Sequence, residues 1–70
     1  MKAKINYGML TTITDFREPE ELEQEYIEFP NYLVTITKVD NEIKVSNVID
    51  DQGNDVTKDF EVYTLNIKPL

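Results

Sequence analysis

Carboxylates are the only chemically versatile side chains this 70-residue chain has in number: fourteen Asp and Glu, no histidine, no cysteine and a single serine, Ser46. Without an imidazole or a thiol, neither a Ser–His–acid triad nor a Cys–His pair can be assembled. A glycosidase-style pair of acids needs a cleft that seats a sugar and raises one acid's affinity for its proton. A domain this short has little volume for one. The two glycines, Gly8 and Gly53, belong to no phosphate-cradling loop. The expectation is a protein that is not an enzyme and uses no cofactor.

One stretch invites a metal reading. Counting from Asp50, an EF-hand-like loop would place Gln52 at position 3, Asn54 at 5 and Glu61 at 12. Position 6, where the sharp turn needs glycine, is Asp55, and position 9 is the cation Lys58. A strand rather than a helix is expected to follow. The stretch therefore reads as an acidic turn, and no metal site is expected.

The acids are not spread evenly. Asp15, Glu18, Glu20, Glu21, Glu23, Glu25 and Glu28 face only Arg17 within residues 15–28, a local charge of −6 out of a total of −7. On a helix, Glu18, Glu21, Glu25 and Glu28 form one acidic stripe beside Leu22 and Tyr26. If the segment is extended, Glu21, Glu23 and Glu25 project to one side at steps of roughly 6.6 Å. Either row resembles the spacing of phosphates along a DNA strand. Like charges three or four apart on a helix cost about 0.2–0.5 kcal/mol each. Acids in a last helical turn also oppose the helix dipole. Stability alone would have mixed the signs, so these seven acids are the candidate partner-binding residues.

The elements that must position them follow from periodicity. Ala3, Ile5, Tyr7, Met9 and Ile13 alternate, which predicts one long first strand kinked at Gly8. Pro19 suits the first turn of a helix and Pro30 its end, so residues 18–29 are expected to form a short acidic helix fixed to the sheet by Leu22 and Tyr26. The rival is an extended segment, because Ile27 and Phe29 also alternate. Tyr32, Val34 and Ile36 lead into Asp40-Asn41, a two-residue hairpin turn tolerant of positive φ. The return strand, Glu42 to about Ile49, sets Ile36 opposite Val45 and Tyr32 opposite Ile49. Residues 50–55 are a loop. A last strand over Phe60 to Lys68 has apolar residues of both parities, which suits a central, bulged or partner-covered strand. The fold expected is α+β, a small curled antiparallel sheet of about four strands with one helix. If residues 18–29 are extended, the alternative is an SH3-like small β-barrel.

Seventy residues make one domain, 1–70, with a marginal core, and a homodimer is expected for that reason and from the two-sided last strand. No apolar run is long enough to span a bilayer, and residues 1–6 lack a signal core. The protein is expected to begin at residue 1 and to lie in the cytoplasm. Its negative charge argues against direct contact with nucleic acid or an anionic membrane and favours a basic partner.

Small size, absence of Cys and His, and the carboxylate row at 15–28 make the chain resemble phage-encoded DNA-mimic proteins, of the Bacillus-phage type that inhibits the nucleoid protein HU. The resemblance is one of composition and carries no residue over by motif. It implies a non-catalytic inhibitor in the host cytoplasm whose acids occupy the DNA-binding site of a basic host protein. Two other functions fit the same composition: an assembly module self-associating through its sheet, or an inhibitor of another basic target such as a nuclease, polymerase or transcription factor.

Overall fold

The computed structural model describes residues 1–70 as two three-stranded antiparallel sheets. Six strands, β1 (Lys2–Tyr7), β2 (Leu10–Asp15), β3 (Gln24–Phe29), β4 (Tyr32–Val39), β5 (Glu42–Asp50) and β6 (Leu65–Pro69), are joined by turns and one 3₁₀ turn, Thr57–Phe60. The first sheet has the order β2-β1-β6 and the second the meander β3-β4-β5. Alternation decides which face each residue takes. Ala3, Ile5 and Tyr7 of β1 are buried with Ile27 and Phe29 of β3, Val34 and Ile36 of β4, and Val48 of β5. Phe16 and Pro19 are also buried, on the crossover between the sheets.

Several expectations are corrected. The helix over 18–29 is absent. The segment instead turns at Glu20–Glu23, where the Glu23 N–H donates to the Glu20 carbonyl and Leu22 takes φ 67, and then becomes β3. Pro19 is buried in the crossover rather than opening a helix, and it is Ile27 and Phe29 that dock the strand, while Leu22 and Tyr26 are exposed. There are six strands in two sheets rather than about four in one, because residues 24–29 add β3 and the expected first strand folds back on itself: Gly8 and Met9 form a turn and Tyr7 pairs with Leu10. The last strand begins at Leu65 and is an edge strand; Phe60 sits in the 3₁₀ turn and Val62 and Tyr63 in the link, which removes the parity conflict that suits a central, bulged or partner-covered strand. Although residues 24–29 are extended, the sheets do not close into a barrel. The domain is sheet-dominated and carries no α-helix.

The central hairpin forms as expected around Asp40 (φ 53) and Asn41 (φ 66), with Ile36 opposite Val45. A bulge at Thr35/Ile36 then moves the register by one, so Tyr32 faces Asp50 and Leu33 faces Ile49. Beyond β5 the chain doubles back along its edge: the Val56 N–H donates to the Val48 carbonyl, and the Val48 N–H to the Thr57 hydroxyl. At the opposite sheet, the Leu70 N–H donates to the Lys2 carbonyl. By alternation, Leu65, Ile67 and Pro69 therefore turn their backbone groups to the free edge of β6. Proline has no N–H to offer there, which blunts the edge against strand pairing.

Candidate functional site

The acidic segment is bent rather than straight, and most of its carboxylates are engaged. Both Glu21 carboxylate oxygens accept hydrogen bonds from the hairpin turn, Asp40 N–H at 2.8 Å and Asn41 N–H at 3.2 Å. Those backbone donors hold its carboxyl below the usual range. Glu25 accepts two bonds from Arg17, at 3.2 and 2.8 Å, and Glu23 lies 3.7 Å from the same guanidinium. These contacts, Glu25 foremost, raise the affinity of Arg17 for its proton. Glu23 also accepts the Glu20 N–H, and Glu18 reaches Lys38 at 3.6 Å. Asp15, Glu20 and Glu28 have carboxylates in no ion pair.

The expected single-sided row of Glu21, Glu23 and Glu25 is not formed. Leu22 at positive φ breaks the alternation between Glu21 and Glu23, and Glu25 and Glu28 lie on opposite faces of β3. Glu28 shares the outer face of the second sheet with Leu33 and Ile49, in one cross-strand row. Near it Asp50 and Asp51 complete a shallow recess of about 280 Å³.

Cations are segregated as well. Lys4 stands directly opposite Lys68 on the outer face of the first sheet, and Lys2 lies two residues along the same face, opposite Asp15. None of the three lysines takes part in the protein's ion pairs, which join Arg17, Lys38 and Lys44 to glutamates. Like charges facing each other across strands are unfavourable. Outside this patch of three lysines and Asp15, thirteen carboxylates stand against four cations, so the remainder carries −9. Sequence reasoning did not join Lys68 to Lys2 and Lys4. Their signal was present in parity, since Lys2 and Lys4 take the positions that alternate with the buried Ala3, Ile5 and Tyr7.

The loop after β5 spends its carboxylates on its own backbone. Asp50 accepts from the N–H groups of Asn54 and Gln52, both at 2.9 Å, and these donors lower its pKa. Asp55 accepts from the hydroxyl and N–H of Thr57 and from the Asn47 amide, with the same effect. Asp55, Asp59, Glu61 and Lys58 border a recess of about 430 Å³. The shift at Asp55 is downward, the opposite of what a general acid needs. No group of three or more acidic side chains is gathered so as to hold a metal ion.

The apolar end of the molecule centres on Phe60. Its ring stacks on Tyr7 and meets Tyr32 and Tyr63 edge-on, at centroid distances of 5.6, 5.3 and 5.8 Å. The Tyr7 hydroxyl donates to the Phe60 carbonyl at 2.9 Å, and burial raises its pKa. The cluster tethers the 3₁₀ turn across the end of the sandwich, and its neighbouring recess of about 250 Å³ is small for a drug-sized ligand. No helix is long and apolar enough to cross a membrane. No protein-family profile, curated protein or solved structure matches the chain.

Proposed function

We propose that this protein is a non-catalytic binding protein that presents its carboxylates to the DNA-binding surface of a basic protein, an HU-like nucleoid protein being the favoured target. The observation that carries this reading is the charge segregation. With Lys2, Lys4 and Lys68 collected on one sheet face, the rest of the molecule holds thirteen acids against four cations. A field of one sign steers a cationic partner and orients its approach. Among the acids of residues 15–28, Glu20 and Glu28 are free to meet the partner's Lys and Arg. Glu18, Glu23 and Glu25 hold exposed or half-exposed pairs that a guanidinium from outside can share. Glu21 serves the hairpin turn instead.

Displacement of a labelled DNA duplex from an HU-like protein is the test. The wild type should release DNA with an affinity that weakens steeply as salt rises from about 0.05 to about 0.2 M, because surface attraction is screened over about 10 Å at 0.1 M. No displacement at the lower salt would refute the reading.

A further inference from the structure

We infer that copies of this chain stack head to tail, the lysine-bearing face of the first sheet of one copy resting on the acidic end of the second sheet of the next. The two surfaces are complementary. On the first sheet, Lys2, Lys4 and Lys68 surround Ile13, which is 59% exposed, and Leu70, 73% exposed, follows Lys68 in the same alternation. On the second, Glu28 and Asp51 border Leu33, with Tyr26, 65% exposed, farther along the same face, while Asp50 beside them is held by its own loop. Lysines and exposed aliphatic groups thus meet carboxylates and exposed apolar groups.

Retention of Lys4 opposite Lys68, with no carboxylate within ion-pair distance, is a local cost in a chain that has twice as many acids as bases. An anionic surface laid across the pair removes it. The two sheets pack against each other through their inner faces, so these outer faces look in opposite directions. The contact is therefore heterologous, joining two different patches.

Size and charge set its strength. A molecule of 28 × 25 × 19 Å has no flat face much larger than the roughly 800 Å² per partner of a standard interface, so the stack is weak and reversible. Each copy carries −7. At about 0.01 M salt, where the screening length is about 30 Å, whole-molecule repulsion wins; at about 1 M, with a length of about 3 Å, the contact pairs are themselves screened. Stacking is therefore strongest near about 0.1 M, where repulsion across the 19 Å body is screened and contact pairs are not.

Sedimentation velocity over a wide range of protein concentration tests this. Near about 0.1 M salt the wild-type mass should rise above 8.2 kDa with concentration, and fall back at both salt extremes. Lys4→Glu/Lys68→Glu and Glu28→Lys/Asp51→Lys, checked for wild-type near-UV circular dichroism, should each stay monomeric. Mixed together they should associate again, since the intact acidic end of the first variant meets the intact lysine face of the second. If either pair fails to fold, Lys4→Gln/Lys68→Gln and Glu28→Gln/Asp51→Gln take their place and should weaken stacking at least about tenfold.

A wild type monomeric at every concentration, variants that still self-associate, or a mixture that does not pair would each overturn the inference. So would a monomeric wild type that binds a single-stranded oligonucleotide through the lysine face. The inference stands apart from the DNA-mimic reading: Lys4→Glu/Lys68→Glu keeps every acid, and should still displace DNA while failing to stack.

Discussion

Glu21 illustrates how a surface carboxylate can belong to the fold rather than to a partner. It crosses from the 20–23 turn to accept both N–H groups of the Asp40-Asn41 turn, whose two residues sit at positive φ and leave their donors pointing outward. The folded-state pKa values of Glu21, Asp50 and Asp55 lie below their unfolded values, so their contribution to stability is complete above the unfolded pKa, around 4, and is lost as pH falls through the folded values. The melting temperature should therefore hold from neutral pH to about 5 and decline below about 4. Acidification also relieves the general repulsion among carboxylates, in wild type and variant alike, so the comparison between them isolates the single group. Glu21→Gln should melt lower than wild type at pH 7 and lose less on acidification; equal melting temperatures at pH 7 would show that the carboxylate does not hold the turn. Nothing in the sequence separated Glu21 from the neighbouring glutamates, because its partners lie 19 and 20 residues away.

At the scale of elements, what was legible depended on whether a turn announces itself. Asp40-Asn41 did, and the hairpin and the Ile36–Val45 pairing were readable as a result. Pro30-Asn31 also carried a turn signature, with Asn31 at φ 68 between two alternating runs, yet the helix reading used Pro30 as a terminator. Leu22 at φ 67 could not be anticipated, since a leucine seldom takes that conformation. Gly8-Met9 hides its turn inside an apparent alternation: with Tyr7 opposite Leu10, the inward parity passes from odd residues in β1 to even residues in β2. Ile5 is buried and Ile13 exposed for that reason. Ile5→Ala should cost about 2–5 kcal/mol and Ile13→Ala within about 0.5, measured by urea unfolding; equal costs would contradict the register. Gly8 has a second duty. It sits at φ 60 with the Tyr63 ring 2.7 Å from where a Cβ would stand, whereas Gly53 at φ 83 has open space. Gly53→Ala should lose about 1–2 kcal/mol from the backbone alone, and Gly8→Ala a further 1–3, roughly, from displacing the ring. Equal losses would mean that the aromatic cluster yields freely.

For the molecule as a whole, segregated charge turns a negative net value into a direction. The sequence revealed the acidic concentration at 15–28 but not that the chain bends there, nor that Arg17 and Lys38 pair with three of its acids, Glu18, Glu23 and Glu25. It also concealed the lysine face, because Lys68 reaches Lys2 and Lys4 only through a pairing of the chain's two ends. On the proposed reading the two sides do different work. One competition titration, release of DNA from an HU-like protein, separates them most directly. Glu18→Lys/Glu20→Lys/Glu28→Lys changes acids whose carboxylates accept no hydrogen bond from the backbone; only Glu18 is paired, with the largely covered Lys38, so the variant is first checked for a wild-type fold. It should need at least about tenfold more protein than wild type to displace DNA, while Lys4→Glu/Lys68→Glu should match wild type or exceed it. If the folded triple variant competes as well as wild type, or if reversing the two lysines is what abolishes competition, the acids are only a solvated surface and the proposed orientation is wrong.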